Sequence, residues 1–164
     1  MNIKYNRAKP NFSKSDIENI MPKFESILNS GMLLQGKYVS EFEVEFAKKV
    51  GSKYAIATNS CTSALEIAIK SLNIKNKKIL VPTQTFVATG NSVVLSGNTP
   101  VFTDIDEDTL CMSFDSIKQN VDDETAAIII VHMGGLITPD YYKIKSFCKE
   151  RDIFIIEDAA HAHG

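Results

Sequence analysis

Cysteine is scarce in this sequence: Cys61, Cys111 and Cys148 are odd in number and widely spaced. They fit neither a disulfide framework nor a zinc pattern, and a reducing, cytoplasmic setting accounts for them most simply. Charge of one sign is also lacking. Eighteen Lys and Arg against twenty Asp and Glu give a formal charge of -2, with a pI near 5.9. That balance removes the electrostatic case for nucleic acid or an anionic membrane as partner. No apolar run approaches the ~20 residues of a membrane-spanning helix. The stretch from Met1 to Arg7 lacks the apolar core of a signal peptide. Internal repeats and low-complexity linkers are missing too. What is there, 164 residues with 44% hydrophobic and 23% charged, is ordinary for a globular domain. A chain of this size can bury roughly 70% of its unfolded surface.

The hydrophobic pattern changes once along the chain. Residues 1–12 read as an extended arm. Ser15 followed by Glu18 fits a capping box and opens a helix towards Ser30, which Pro22 is expected to kink or divide. A glycine-bounded loop, 31–36, carries three adjacent apolar residues. In the next helix Val39, Phe42, Phe46 and Val50 recur at helical spacing, and Gly51 stops it. From there strands alternate with helices. Strands are expected at 54–58, 78–81, 101–103, 126–131 and 153–156, with helices over 62–72, 85–95, 114–120 and 139–150. Repeated strand–helix–strand units with short connections give an α/β fold, a mostly parallel sheet with helices on both faces.

Ligands of open α/β sheets bind beyond the carboxyl ends of the strands, so polar groups placed there are the site candidates. Thr58-Asn59-Ser60-Cys61-Thr62-Ser63 runs from a strand end into a helix start, where amides and hydroxyls suit a phosphate. Ser and Thr are equally the commonest helix caps. The segment is neither a Walker loop nor a G-x-G-x-x-G fingerprint. Phe86, after the second expected strand, either stacks on a flat ring beside the crevice or packs in the core. The acidic run 104–108 reads as a solvated turn. His132 either faces the crevice or is a satisfied structural histidine, and the glycines after it permit close approach or positive φ. Asp158, His161 and His163 suggest metal ligands, but no further partner stands at helical spacing, so no metal is expected. The other reading places the Asp158 carboxylate against a protonated heterocyclic nitrogen, with His161 near a ring substituent.

In their order these segments resemble the DegT/StrS-type sugar aminotransferases, enzymes that use pyridoxal phosphate (PLP) on the fold-type-I aminotransferase scaffold. The resemblance runs from about Gly31 to Gly164. It is carried by Gly36-x-x-Val39-x-x-Phe42-Glu43, by Asn59-Ser60-Cys61-Thr62-Ser63-Ala64-Leu65 and by Pro82-Thr83-Gln84-Thr85-Phe86. Pro100-Val101-Phe102-Thr103-Asp104-Ile105 and Glu157-Asp158-Ala159-Ala160-His161-Ala162-His163-Gly164 complete it. Residues 1–30 read as an amino-terminal arm and helix, and the resemblance implies 31–164 as part of the PLP-binding large domain. It implies Cys61, Thr62 and Ser63 at the cofactor phosphate, with Cys61 where the family usually has Gly. Phe86 is implied to stack on the pyridine ring, Asp158 to pair with its nitrogen, and His161 to stand near the 3′-oxygen where many members carry Gln. Leu34 and Gln35, in the 31–36 loop, are implied on the substrate side.

Such enzymes act on nucleotide-linked keto-sugars with glutamate as amino donor, and form homodimers that share active sites. Some dehydrate in place of transaminating. The family's Schiff-base lysine lies beyond the Asp-x-x-Gln/His motif, and no lysine of this sequence matches its motif, so no catalytic residue is assigned. The sequence is therefore expected to be the amino-terminal portion of such an enzyme, with a sheet edge that favours self-association or a complementing chain. A non-catalytic PLP- or nucleotide-binding module, or a degenerate remnant, is the alternative. A dinucleotide-dependent oxidoreductase is disfavoured by the missing glycine fingerprint.

Overall fold

The computed structural model describes residues 10–163; most of the arm expected over 1–12 lies outside them. The chain divides into two units, one ending at Ala57 and one beginning at Thr58. The first holds two helices, α1 (Lys14–Ser30) and α2 (Lys37–Val50). The capping box of α1 is two residues earlier than expected. The Ser13 hydroxyl accepts from the Asp16 amide, and the Asp16 carboxylate accepts from the Ser13 amide. The helix runs on through Pro22 without dividing there and ends on Gly31 in the left-handed region. α2 ends as expected on Gly51, at φ 71°.

The strand expected at 54–58 does not form. A strand needs a ladder partner for its amides and carbonyls, and here side chains take those groups instead. Glu43 accepts from the Ala57 amide at 2.8 Å, and the Ser52 hydroxyl donates to the Tyr54 carbonyl.

The second unit is built on four parallel strands in the order β2-β1-β3-β4. These are β1 (Lys78–Pro82), β2 (Thr99–Thr103), β3 (Thr125–Val131) and β4 (Phe154–Asp158). Its helices are α3 (Cys61–Ser71), α4 (Val87–Leu95), α5 (Phe114–Asn120) and α6 (Tyr141–Glu150). The expected fold class holds, with four strands among the described residues where five were anticipated. The apolar runs of the central strands β1 and β3 are continuous because both of their faces are covered. Successive side chains alternate between two cores. Ile79, Val81, Ala127 and Ile129 pack with Leu65 and Ile69 of α3 and Val93 of α4. Leu80, Ile128 and Ile130 pack with Ile117 of α5 and Ile144 and Cys148 of α6.

The strand order explains this division of helices. From β1 the chain steps one way to β2, then returns past β1 to β3 and on to β4. Parallel crossovers are right-handed, so reversing the direction of travel moves the connecting helices to the other face. α4 is therefore on one side, and α5 and α6 on the other. The reversal lies between β1 and β3, and the carboxyl edge at such a switch point is where a ligand crevice opens. No helix among the described residues is long and apolar enough to cross a membrane.

Candidate functional site

Asp158 is the last residue of β4, and its strand parity sends it to the α3 side. Ile156, two residues earlier, packs in the α3–α4 core. Asp158 is 8% exposed. Its backbone carbonyl accepts from the His132 amide at 3.1 Å, which locks the ends of β3 and β4 together. Oδ1 accepts from the Ala160 amide at 3.2 Å and from the Cys61 thiol at 3.5 Å. Both of these bonds fall on Oδ1, so Oδ2 is left for a ligand.

Cys61 opens α3. Ser60 is the cap, its hydroxyl accepting from the Ser63 amide at 3.2 Å. The Ala64 amide bonds to the Ser60 carbonyl. The first amides of a helix have no partner within it, and among the described residues none is recorded for Cys61 or Thr62. The capping and cradle readings therefore apply to different residues. Ser60 caps and its hydroxyl also bonds the Ser63 hydroxyl at 3.1 Å, while the Cys61 and Thr62 amides at the helix start remain available to an anion. Burial, then the charge of Asp158 and its hydrogen bond, push the Cys61 thiol pKa up, so Cys61 is a neutral donor.

Phe86 stands at the start of α4 and is 74% exposed, which excludes the core-packing reading and leaves the ring free to stack. His161 lies in the turn after β4, closed by the Ala162 amide donating to the Ala159 carbonyl. Its Nδ1 accepts from the Gly134 amide at 3.3 Å, which places the proton of the neutral ring on Nε2, a free donor. Gly134 and Gly135 have φ of 62° and 89°, and a Cβ on Gly135 would lie 2.9 Å from the His161 carbonyl oxygen. Both uses anticipated for these glycines, positive φ and close approach, are realised at Gly135.

Within the second unit Cys61, Asp158 and His161 are thus tied to one carboxyl edge through direct hydrogen bonds. Leu34 and Gln35 belong to the first unit, on the exposed loop between α1 and α2, where Gln35 takes φ 50°. In the acidic run, Asp106 accepts from the amides of Asp108 and Thr109, which makes it the expected turn. Among the described residues, no group of three or more His, Cys, Asp or Glu is arranged to hold a metal ion.

One network was not anticipated. On the opposite face of the sheet from Asp158, Glu157 accepts from the Tyr141 hydroxyl at 2.8 Å, and its other oxygen is 2.9 Å from His132 Nε2. His132 is 3% exposed, and its Nδ1 is buried with no partner among the described residues. The structural-histidine reading is thus half right: one ring nitrogen is satisfied. Strand alternation was the available signal, because Glu157 must point away from the side Asp158 faces. The hydrogen bond to Glu157, followed by burial, raises the Tyr141 pKa from 10.0 to about 12. The folded chain therefore holds this proton more tightly than the unfolded one. The associated stability is full below pH 10 and is lost as pH rises through about 12. Spectrophotometric titration of the five tyrosines should show one late phenol, and Glu157→Gln should return it towards 10. An unchanged profile in that variant would rule out the bond as the cause.

Pyridoxal phosphate fits this donor set. Its phosphate suits the open amides of α3, and a ring N–H suits Oδ2 of Asp158, a residue more than nine-tenths buried. Phe86 offers a face for the ring, and His161 Nε2 a donor for a ring oxygen.

Relatives of known type have the same architecture. Residues 14–164 match the DegT/DnrJ/EryC1/StrS aminotransferase family. The spore coat polysaccharide biosynthesis protein SpsC of Bacillus subtilis (strain 168) is 38% identical over 154 residues, covering 93% of this chain and 38% of SpsC. An aminotransferase from Psychrobacter cryohalolentis superposes with a TM-score of 0.85 at 35% identity, covering 94% of this chain and 39% of that one. A GDP-4-keto-6-deoxymannose-3-dehydratase with a trapped PLP-glutamate geminal diamine gives 0.82 at 31% identity, covering 94% and 40%. The chain spans about two fifths of the length of these relatives. With the match extending over nearly all of the described residues, the chain belongs to the DegT/DnrJ/EryC1/StrS aminotransferase family.

Proposed function

We propose that this chain holds pyridoxal phosphate for an aminotransferase that acts on nucleotide-linked keto-sugars, with glutamate as amino donor. The observation that carries the reading is the Asp158 carboxylate, buried at the carboxyl end of β4 and bonded directly to the first residue of α3. When bound, the cofactor supplies an electron sink for moving an amino group between carbons. The residues supply the rest. Asp158 holds a proton on the ring nitrogen through Oδ2. The Cys61 and Thr62 amides and the Thr62 and Ser63 hydroxyls bind the phosphate. Phe86 covers one ring face and keeps water from it. His161 donates from Nε2 to the ring oxygen, its orientation fixed by Gly134. Leu34 and Gln35 are assigned to the sugar side by family resemblance.

PLP and pyridoxal, which lacks the phosphate, should separate in a titration of the full chain followed by absorbance. Losing several charge-assisted bonds should weaken pyridoxal at least about tenfold. Equal affinity for the two would remove α3 as the phosphate site. The likeness to both an aminotransferase and a dehydratase makes the reaction type a separate question. Mass spectrometry of GDP-4-keto-6-deoxymannose incubated with L-glutamate and the PLP-loaded protein answers it. An amino sugar formed alongside 2-oxoglutarate supports amino transfer, and a 3-deoxy sugar counts against it.

A further inference from the structure

Cys61 stands in two relations to the site. Its amide is one of the open donors at the start of α3, and its thiol is 3.5 Å from Asp158 Oδ1. Among the described residues it is the one side chain hydrogen-bonded to that carboxylate; the other donor is the Ala160 amide. Asp158 is more than nine-tenths buried, so the direction in which its second oxygen faces depends on what grips the first. An S–H on one side and an N–H on the other fix the carboxylate plane.

Resting on the PLP reading above, we propose that Cys61 is a positioning residue: its thiol holds Asp158 so that Oδ2 meets the ring nitrogen, while its amide meets the phosphate. One residue thereby links the parts of the site that meet the two ends of the cofactor. A glycine here keeps the amide and loses the grip on Asp158. The thiol is suited to this because it remains protonated. A thiolate would place two negative charges 3.5 Å apart, and burial and the Asp158 charge both hold the proton on sulfur. The other cysteines do not confuse a test, since Cys111 and Cys148 are each 1% exposed while Cys61 is open to solvent.

The experiment uses the folded full chain and two readouts. The first needs no cofactor: the pH dependence of Cys61 alkylation by iodoacetamide, mapped by mass spectrometry. Asp158→Asn removes the neighbouring charge, so the alkylation midpoint should fall towards that of an ordinary thiol. The second is PLP affinity with the pH dependence of the bound cofactor's absorbance. Cys61→Ala should bind PLP about threefold to tenfold more weakly, the worth of one modest hydrogen bond. It should also release the ring-nitrogen proton at lower pH. Cys61→Ser, which keeps a donor, should restore both, a pattern that loss of packing alone would not give. An alkylation midpoint unmoved by Asp158→Asn, or Ala and Ser variants that behave alike, overturns the proposal. Failure of the wild-type chain to bind PLP overturns the functional reading instead, and the alkylation profile tells the two failures apart.

Discussion

Asp158→Asn should weaken PLP binding by about 10- to 100-fold while leaving the fold intact. Asparagine has nearly the same shape, so β4 keeps its register and the Ala160 amide keeps an oxygen acceptor. What disappears is the negative charge. A hydrogen bond to a charged group contributes about 1.5–3 kcal/mol, and each 1.4 kcal/mol is a tenfold change in affinity. The loss is undiluted here because Asp158 is 8% exposed, so water does not replace the missing charge. Two measurements check the result. Far-UV circular dichroism should overlay that of wild type, and an absorbance titration should give the weaker affinity. The absorbance of any cofactor still bound should show the ring nitrogen unprotonated at neutral pH. Wild-type affinity in a folded Asn variant would show that Oδ2 does not meet the ring.

Asp158 was legible in the sequence because the physics at its position is local. A short apolar run without alternation reads as a parallel strand, and a carboxylate at its carboxyl end lies at the ligand edge. Of the strands that formed, the central β1 and β3 are buried on both faces, while the edge strands β2 and β4 are partly exposed. Ile79 to Val81 and Ala127 to Ile130 face packed helices on both sides, so their patterns are uninterrupted. The stretch from Tyr54 to Thr58 has a similar pattern, yet a strand also requires a neighbour, and no local feature of sequence states whether one is present. Tyr54 and Ile56 are exposed, and the Ala57 amide turns to Glu43.

The start of α1 was misplaced for a different reason. Ser13 and Asp16 form the same reciprocal pair that Ser15 and Glu18 promised, and a capping box two residues upstream takes the helix start with it. The Tyr141–Glu157–His132 network needed three segments brought together, which spacing alone does not supply. Likewise Cys61 read as a phosphate ligand by its place at a helix start. Its second role, against Asp158 across 97 residues of chain, became visible only when α3 was packed beside β4.

Gly135→Ala should be the most destabilising change in the loop after β3, and Gly134→Ala the control that shows why. Both glycines have positive φ, 62° and 89°. An L-residue in the left-handed region costs about 1–2 kcal/mol, offset by about 0.4–1 kcal/mol from a less flexible unfolded chain. Nothing lies within 4 Å of a Cβ on Gly134, so its net cost should stay near 1 kcal/mol or below. At Gly135 the added carbon would meet the His161 carbonyl oxygen at 2.9 Å. That oxygen is backbone, and its turn is closed by the Ala162 amide bonding to the Ala159 carbonyl at 2.8 Å. No flexible side chain can step aside. Relief requires moving the turn, at a total cost of about 2–4 kcal/mol once the 1–3 kcal/mol of backbone strain is included.

Urea unfolding should therefore place the Gly135→Ala midpoint well below that of Gly134→Ala, with similar slopes if both remain two-state. The displaced turn carries His161, whose Nδ1 accepts from the Gly134 amide. The Gly135 variant should then lose PLP affinity as well as stability, although residue 135 itself contacts no part of the proposed cofactor. Equal midpoints for the two variants would mean that the close approach does not hold the turn, and that His161 is oriented by something other than this loop.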